Sequence, residues 1–226
     1  MEDLYTLDLK KISLETYAQE LEQAVLLPSR RILQEEIGPR FAILRQQGIH
    51  NLSEVLAALK TPEKIKTFAQ KSALPEDYLV ILKREIASYQ PPPVKLKDFP
   101  GIEIGAIQKL AELGIENTKQ LFEKVKTPID RQSLADKTGI AISEILELTQ
   151  LVDVVRIRWV GANFARLLVD SSCNTLEKVC QAEYASLYAE LVKINQEKSY
   201  FKGMFGQNDM KLCVLAARQV PQVIEY

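Results

Sequence analysis

The chain repeats itself. Gly48-Ile49-His50-Asn51 recurs as Gly114-Ile115-Glu116-Asn117, and Lys60-Thr61-Pro62 recurs as Lys126-Thr127-Pro128, both at an offset of 66 residues. Two matches at one displacement are the mark of a duplicated structural unit. Each repeated piece has the chemistry of helix punctuation. Glycine tolerates the left-handed conformation in which many helices end. Asparagine accepts a hydrogen bond from a first-turn amide, and Thr-Pro supplies a cap followed by a residue whose fixed φ suits the first helical position. The repeat predicts helix-turn-helix units in which residues 37 to 88 and 103 to 154 are equivalent.

A third, more divergent copy follows at an offset of 58, which brings Gly114 onto Ser172, Leu110 onto Leu168, Leu121 onto Val179 and Asn117 onto Thr175. It loses the glycine but keeps a capping residue. A helix is expected after each hairpin, from Leu79, Leu82 and Ile86, from Ile142, Ile145, Leu146 and Val152, and from Tyr184, Leu187, Tyr188, Leu191 and Ile194. All have helical spacing, and the alternation of a strand is absent.

Ser13 is placed to cap an N-terminal helix whose apolar face is Leu14, Tyr17, Ala18, Leu21 and Val25. Pro28 and Ser29 break it and begin another, on which Arg30 and Arg31 read as a solvated face. Gly203, Gly206, Gln207 and Asn208 read as a loop before a last helix carrying Met210, Cys213, Val214 and Ala217. Pro91-Pro92-Pro93 forbids helix and favours an extended spacer. The expected organisation is therefore residues 1–90 as N-terminal helices plus the first repeat, 91–100 as a proline-rich linker, and 101–226 as the second and third repeats plus a C-terminal helix.

The 226 residues, 46% of them hydrophobic, can bury a core without a metal or disulfide staple. Charge is balanced, with 29 basic against 30 acidic side chains, so nucleic-acid binding would have to come from a local patch. Residues 156–226 are the most basic stretch, with 9 basic and 7 acidic side chains. Three cysteines without CxxC spacing indicate neither a disulfide framework nor a zinc site, and a reducing cytosol is expected. The N-terminal stretch lacks the basic start and apolar run of a signal peptide, and no apolar run reaches the roughly 18 residues of a membrane span.

Three stretches carry the pattern of a helix-hairpin-helix element, roughly Pro-Gly-Ile-Gly, three residues, Ala, two residues, Leu. They are Ile37-Gly38-Pro39-Arg40-Phe41-Ala42, Phe99-Pro100-Gly101-Ile102-Glu103 with Leu110, and Val160-Gly161-Ala162-Asn163-Phe164-Ala165 with Leu168. Over roughly residues 35 to 200 the chain resembles an uncharacterised bacterial family of unknown function built from helix-hairpin-helix domains. The resemblance implies an all-α fold of three related hairpin copies, with an N-terminal helical extension and a C-terminal helix. It implies no particular activity, because such domains serve both in DNA binding and in protein assembly.

In such an element, backbone amides at the start of the second helix point at a phosphate. Gly161, Ala162 and Asn163, with Arg158 and Arg166 close by, form the best candidate; Gly38 and Arg40 form the next. Glu103 stands at the second glycine position of the middle copy and would repel phosphate. The same glycines also suit close helix packing in an interaction domain, and that reading stays open. Trp159, beside Ile157 and Val160, reads as core rather than as a stacking platform, and His50 as an exposed turn residue.

No HExxH, GxSxG or Walker-type run is present, and adjacent Glu35 and Glu36 point about 100° apart on a helix. The expectation is a non-catalytic binding protein with no metal or cofactor. Its partner is either the DNA or RNA backbone, contacted without sequence preference, or a second protein for which it acts as a helical adaptor.

Overall fold

The computed structural model describes residues 4–226, and among them more than half lie in helices and none in a named strand. The chain divides into two compact units, one of Leu7–Gln90 and one of Pro91–Tyr226 joined by the N-terminal stretch up to Thr6.

The Leu7–Gln90 unit contains α1 (Leu14–Gln23), a 3-10 segment (Pro28–Gln34), α2 (Ile37–Gln46), α3 (Leu52–Ala58), α4 (Pro62–Ser72) and α5 (Glu76–Ala87). Ser13 caps α1 by accepting from the Thr16 amide, and Leu14, Tyr17 and Leu21 are its buried stripe. Val25, expected on that stripe, lies beyond the helix end and is exposed, because the chain turns extended at Ala24. Arg30 is not solvated as expected. Its Nη1 donates to Glu85 Oε2 at 2.6 Å, which lets Glu85 sit in the core beside Leu82 and Ile86.

The second unit contains a short 3-10 segment (Leu96–Asp98), α6 (Ile104–Glu112), α7 (Thr118–Phe122), α8 (Pro128–Thr138), α9 (Ile142–Val154), α10 (Ala162–Val169), α11 (Leu176–Gln181), α12 (Tyr184–Lys198) and α13 (Gln207–Ala217). Gln207 and Asn208, read as loop, are the first residues of α13, since the Gly206 amide donates to Asp209 and starts the helix there. Tyr5 belongs to this core, edge-on to Phe122 at 5.4 Å, with its hydroxyl 2.6 Å from Thr118 Oγ1.

At the 66-residue offset the two units share their local geometry. Gly48 and Gly114 have φ of 80° and 74°. Asn51 caps α3 at φ −141°, ψ 168°, and Asn117 caps α7 at φ −138°, ψ 167°. Thr61 and Thr127 cap α4 and α8 with φ of −121° and −118°, each with proline next. An isolated antiparallel bridge joins Ser13 to Asn51 in one unit and Lys95 to Asn117 in the other. Leu79, Leu82 and Ile86 of α5 are buried, as are Ile145, Leu148 and Val152 of α9.

The stretch at the further offset of 58 keeps its cap, Thr175 accepting from the Lys178 amide, and buries Leu168 and Val179 as Leu110 and Leu121 are buried. Ser172 does not take the left-handed conformation of Gly114. Side chains close this turn instead: Ser171 Oγ donates to Leu168 O and accepts from the Cys173 amide, while Glu190 accepts from Ser172 N and Oγ.

One position breaks the local rule. Ala73 ends α4 at φ 57°, where its counterpart Gly139 ends α8 at φ 62°. A left-handed alanine costs about 1–2 kcal/mol, partly offset by glycine's larger unfolded-state entropy. Ala73→Gly is therefore expected to raise stability by about 0.5–1 kcal/mol in chemical denaturation. An unchanged or lower midpoint contradicts this.

Candidate nucleic-acid interface

Three residues other than the helix-ending ones have left-handed backbones ahead of a helix: Glu36 (φ 49°) before α2, Gly101 (φ 78°) before α6, and Trp159 (φ 68°) before α10. Gly101 and Trp159 are separated by the same 58 residues as the Asn117 and Thr175 caps. The bend before α10 is thus made by Trp159 and not by Gly161, which is an extended N-cap at φ −96°, ψ 177°. Gly38 likewise takes no positive φ and lies in the first turn of α2. Trp159 is not core. The left-handed turn leaves it 44% exposed, with the Arg158 guanidinium stacked 4.3 Å from its ring centroid.

The candidate residues divide by what they face. Gly161 and Asn163 are exposed, Ala162 and Arg158 half-buried. Arg166 is buried. Its guanidinium donates to Asp170 through Nε at 2.8 Å and through Nη2, and to Glu147 through Nη1. Arg40 is buried too, donating to Ile32 O at 3.0 Å, lying 3.4 Å from Glu36 and 3.7 Å from Glu35, and covering the Tyr78 ring. Both guanidiniums are engaged inside the fold, where the sequence reading had them as phosphate donors. For Arg40 the flanking Glu35 and Glu36 are the carboxylates, and for Arg166 the nearby partner is Asp170, one helical turn later.

What the site offers instead is backbone. A helix leaves its first amides without intrahelical acceptors, and side-chain caps or first-turn acids normally satisfy or complement them. Ser13, Asn51, Thr61, Asn117, Thr127, Thr175 and Glu183 do so by capping α1, α3, α4, α7, α8, α11 and α12. Helices α5, α9 and α13 carry an acid in the first turn. Among the described residues only α2, α6 and α10 have neither a side-chain cap nor a first-turn acid; they follow the left-handed residues Glu36, Gly101 and Trp159, while the left-handed helix ends Ala73 and Gly139 precede α5 and α9, which carry first-turn acids. Their N-caps differ: Glu36 and Glu103 place a carboxylate at α2 and α6, whereas α10 starts from Gly161. The amides of Ala162 and Asn163 have no acceptor among the described residues. A Cβ on Gly161 would meet no atom within 4 Å, so the approach is open.

Cys173 and Cys180 are half-buried and Cys213 buried, and burial raises all three thiols, Cys213 to about 12. His50 is exposed and its amide donates to Glu54. Among the described residues no helix is long and apolar enough to cross a membrane.

A family model described as a domain of unknown function (DUF4332) matches residues 100–224, from the turn at Gly101 past the end of α13. No curated protein and no solved structure matches the chain.

Proposed function

We propose that this chain, which belongs to the DUF4332 family of domains of unknown function, is a non-catalytic protein of repeated helix-hairpin-helix units that grips a nucleic-acid backbone, duplex DNA first, without reading sequence. The contact is the start of α10, where the amides of Ala162 and Asn163 donate to a phosphate and the helix dipole favours its charge. The observation that carries this reading is the uncapped, acid-free helix start that follows each of the left-handed turns at Glu36, Gly101 and Trp159. Glu36 and Glu103 would repel a phosphate at α2 and α6, which leaves the Gly161 turn as the gripping one. Amides, not Arg40 or Arg166, are the donors.

Trp159 fits the same role. A bulky residue held left-handed costs about 1–2 kcal/mol and persists where something other than stability is served. Exposed beside the open amides, its ring can stack on a sugar or an unpaired base. Trp159→Gly is expected to leave stability unchanged or raise it, and to weaken binding of single-stranded DNA by about 1–3 kcal/mol, the value of one stacked base. Denaturation and fluorescence titration of the same variant check both halves. A destabilised variant with unaltered affinity contradicts the role given to Trp159.

A second reading, a protein-docking adaptor, is favoured by Ile104 and Ile129, 74% and 81% exposed on α6 and α8. Salt separates the two. Phosphate contacts release counterions and weaken as salt rises, whereas apolar docking is nearly indifferent.

A further inference from the structure

The chain after α13 is laid back across its own unit. Val220, Val223 and Ile224 pack on the core without helix or strand. Polar contacts hold the segment: the Val220 amide donates to Ala217 O at 3.1 Å, Arg156 Nη2 to Pro221 O at 3.1 Å, Gln222 Nε2 to Cys180 Sγ at 3.8 Å, the Glu225 amide to Lys126 O at 2.8 Å, and the Tyr226 hydroxyl to Asp153 Oδ2 at 3.0 Å. Asp153 is itself buried and ion-paired with Arg156, and the Arg131 guanidinium lies 5.6 Å from the Tyr226 ring centroid. Tyr226 as a residue is about half exposed, and it forms one wall of a cavity of about 560 Å³. Ile142 and Leu146, one turn apart on α9, give that cavity an apolar floor that the tail does not cover, with Gln132, Gln150 and Lys178 around it.

We propose that this is a peptide-binding groove and that Val220–Tyr226 is its internal occupant. The external ligand is an extended segment of a partner protein that presents two adjacent apolar residues ahead of a tyrosine, as Val223, Ile224 and Tyr226 do, and continues over Ile142 and Leu146. The tail displays the chemistry that the groove recognises. A main-chain carbonyl at Lys126 accepts from an extended backbone, apolar side chains fill the core edge, and a buried carboxylate accepts the phenol. A phenylalanine in that place would leave Asp153 short of one donor in a buried setting, which is how such sites discriminate. Beyond the Val220 amide, which donates to Ala217 O, the segment has no helical or sheet hydrogen bonds, and a competitor can lift it. The groove is separate from the Gly161 turn and stands whether or not that turn binds phosphate.

The probe is a fluorescent synthetic peptide with the sequence of residues 220–226. A chain shortened after Gln219 is expected to bind it saturably, at least tenfold more tightly than the unaltered chain does, and at least tenfold more tightly than it binds the same peptide with phenylalanine for Tyr226. A shortened chain that keeps its helical circular dichroism but binds neither peptide, or binds both equally, overturns the proposal. If shortening unfolds the chain, the unaltered chain decides: excess unlabelled peptide should speed hydrogen exchange at the Glu225 amide, and unchanged exchange overturns the proposal.

Discussion

Gly161→Glu is expected to weaken duplex DNA binding at least a hundredfold at low salt, about 2.7 kcal/mol, while leaving helix content and melting temperature nearly unchanged. The fold tolerates the change because Gly161 is extended, a conformation open to any residue, and a side chain there meets no atom within 4 Å. The loss follows from a counterpart in the same unit. At the start of α12, Glu183 accepts from the amides of Ala185 and Ser186, which lowers its own pKa. A glutamate at 161 would place a carboxylate at the first amides of α10, whether bonded to them as Glu183 is at α12 or unbonded as Glu103 is at α6, and in either case repel a phosphate. Gly161→Ala, which adds bulk but no charge, should bind within about twofold of the unaltered chain. Equal loss in both variants would mean that the turn matters through shape alone.

Arg156→Ala is expected to cost about 3–5 kcal/mol of stability, the range for breaking a buried ion pair from one side. The Arg156 side chain is fully buried, bonded at 2.6 Å to Asp153, and donates to Pro221 O and Leu4 O. Its removal leaves a carboxylate in the core with only the Leu176 amide and the Tyr226 hydroxyl as donors. The exposed pair of Arg45 with Glu15 gives the contrast: Arg45→Ala should leave stability nearly unchanged, since exposed pairs contribute little. Chemical denaturation of the two variants side by side checks the ordering. An Arg156→Ala chain as stable as Arg45→Ala would contradict the importance given to the buried pair.

Helix starts and stops were legible because punctuation is local. Asn51, Asn117, Thr61, Thr127 and Thr175 cap where the sequence places them, each through an amide three residues ahead. The bends before α2 and α10 were not legible. Glu36 and Trp159 are left-handed, and neither residue type advertises it. Of the candidate site, the burial of its two arginines was not legible. Arg40 and Arg166 look basic in sequence, yet burial forces a guanidinium to find carboxylates, and Glu147 lies 19 residues from Arg166. Tyr226 and Asp153, 73 residues apart, show no periodic or motif relation before folding brings them together.

The most direct test of backbone gripping is a titration of fluorescent DNA duplexes of unrelated sequence with the unaltered chain, repeated as salt is raised. The expected result is equal affinity for all sequences and a shallow fall of log K against log salt, with a slope of about −1 to −3, matching one turn and a few phosphates on a chain of net charge −1. No measurable affinity for DNA or RNA at low salt, with tight and salt-insensitive association to a protein partner, would contradict it.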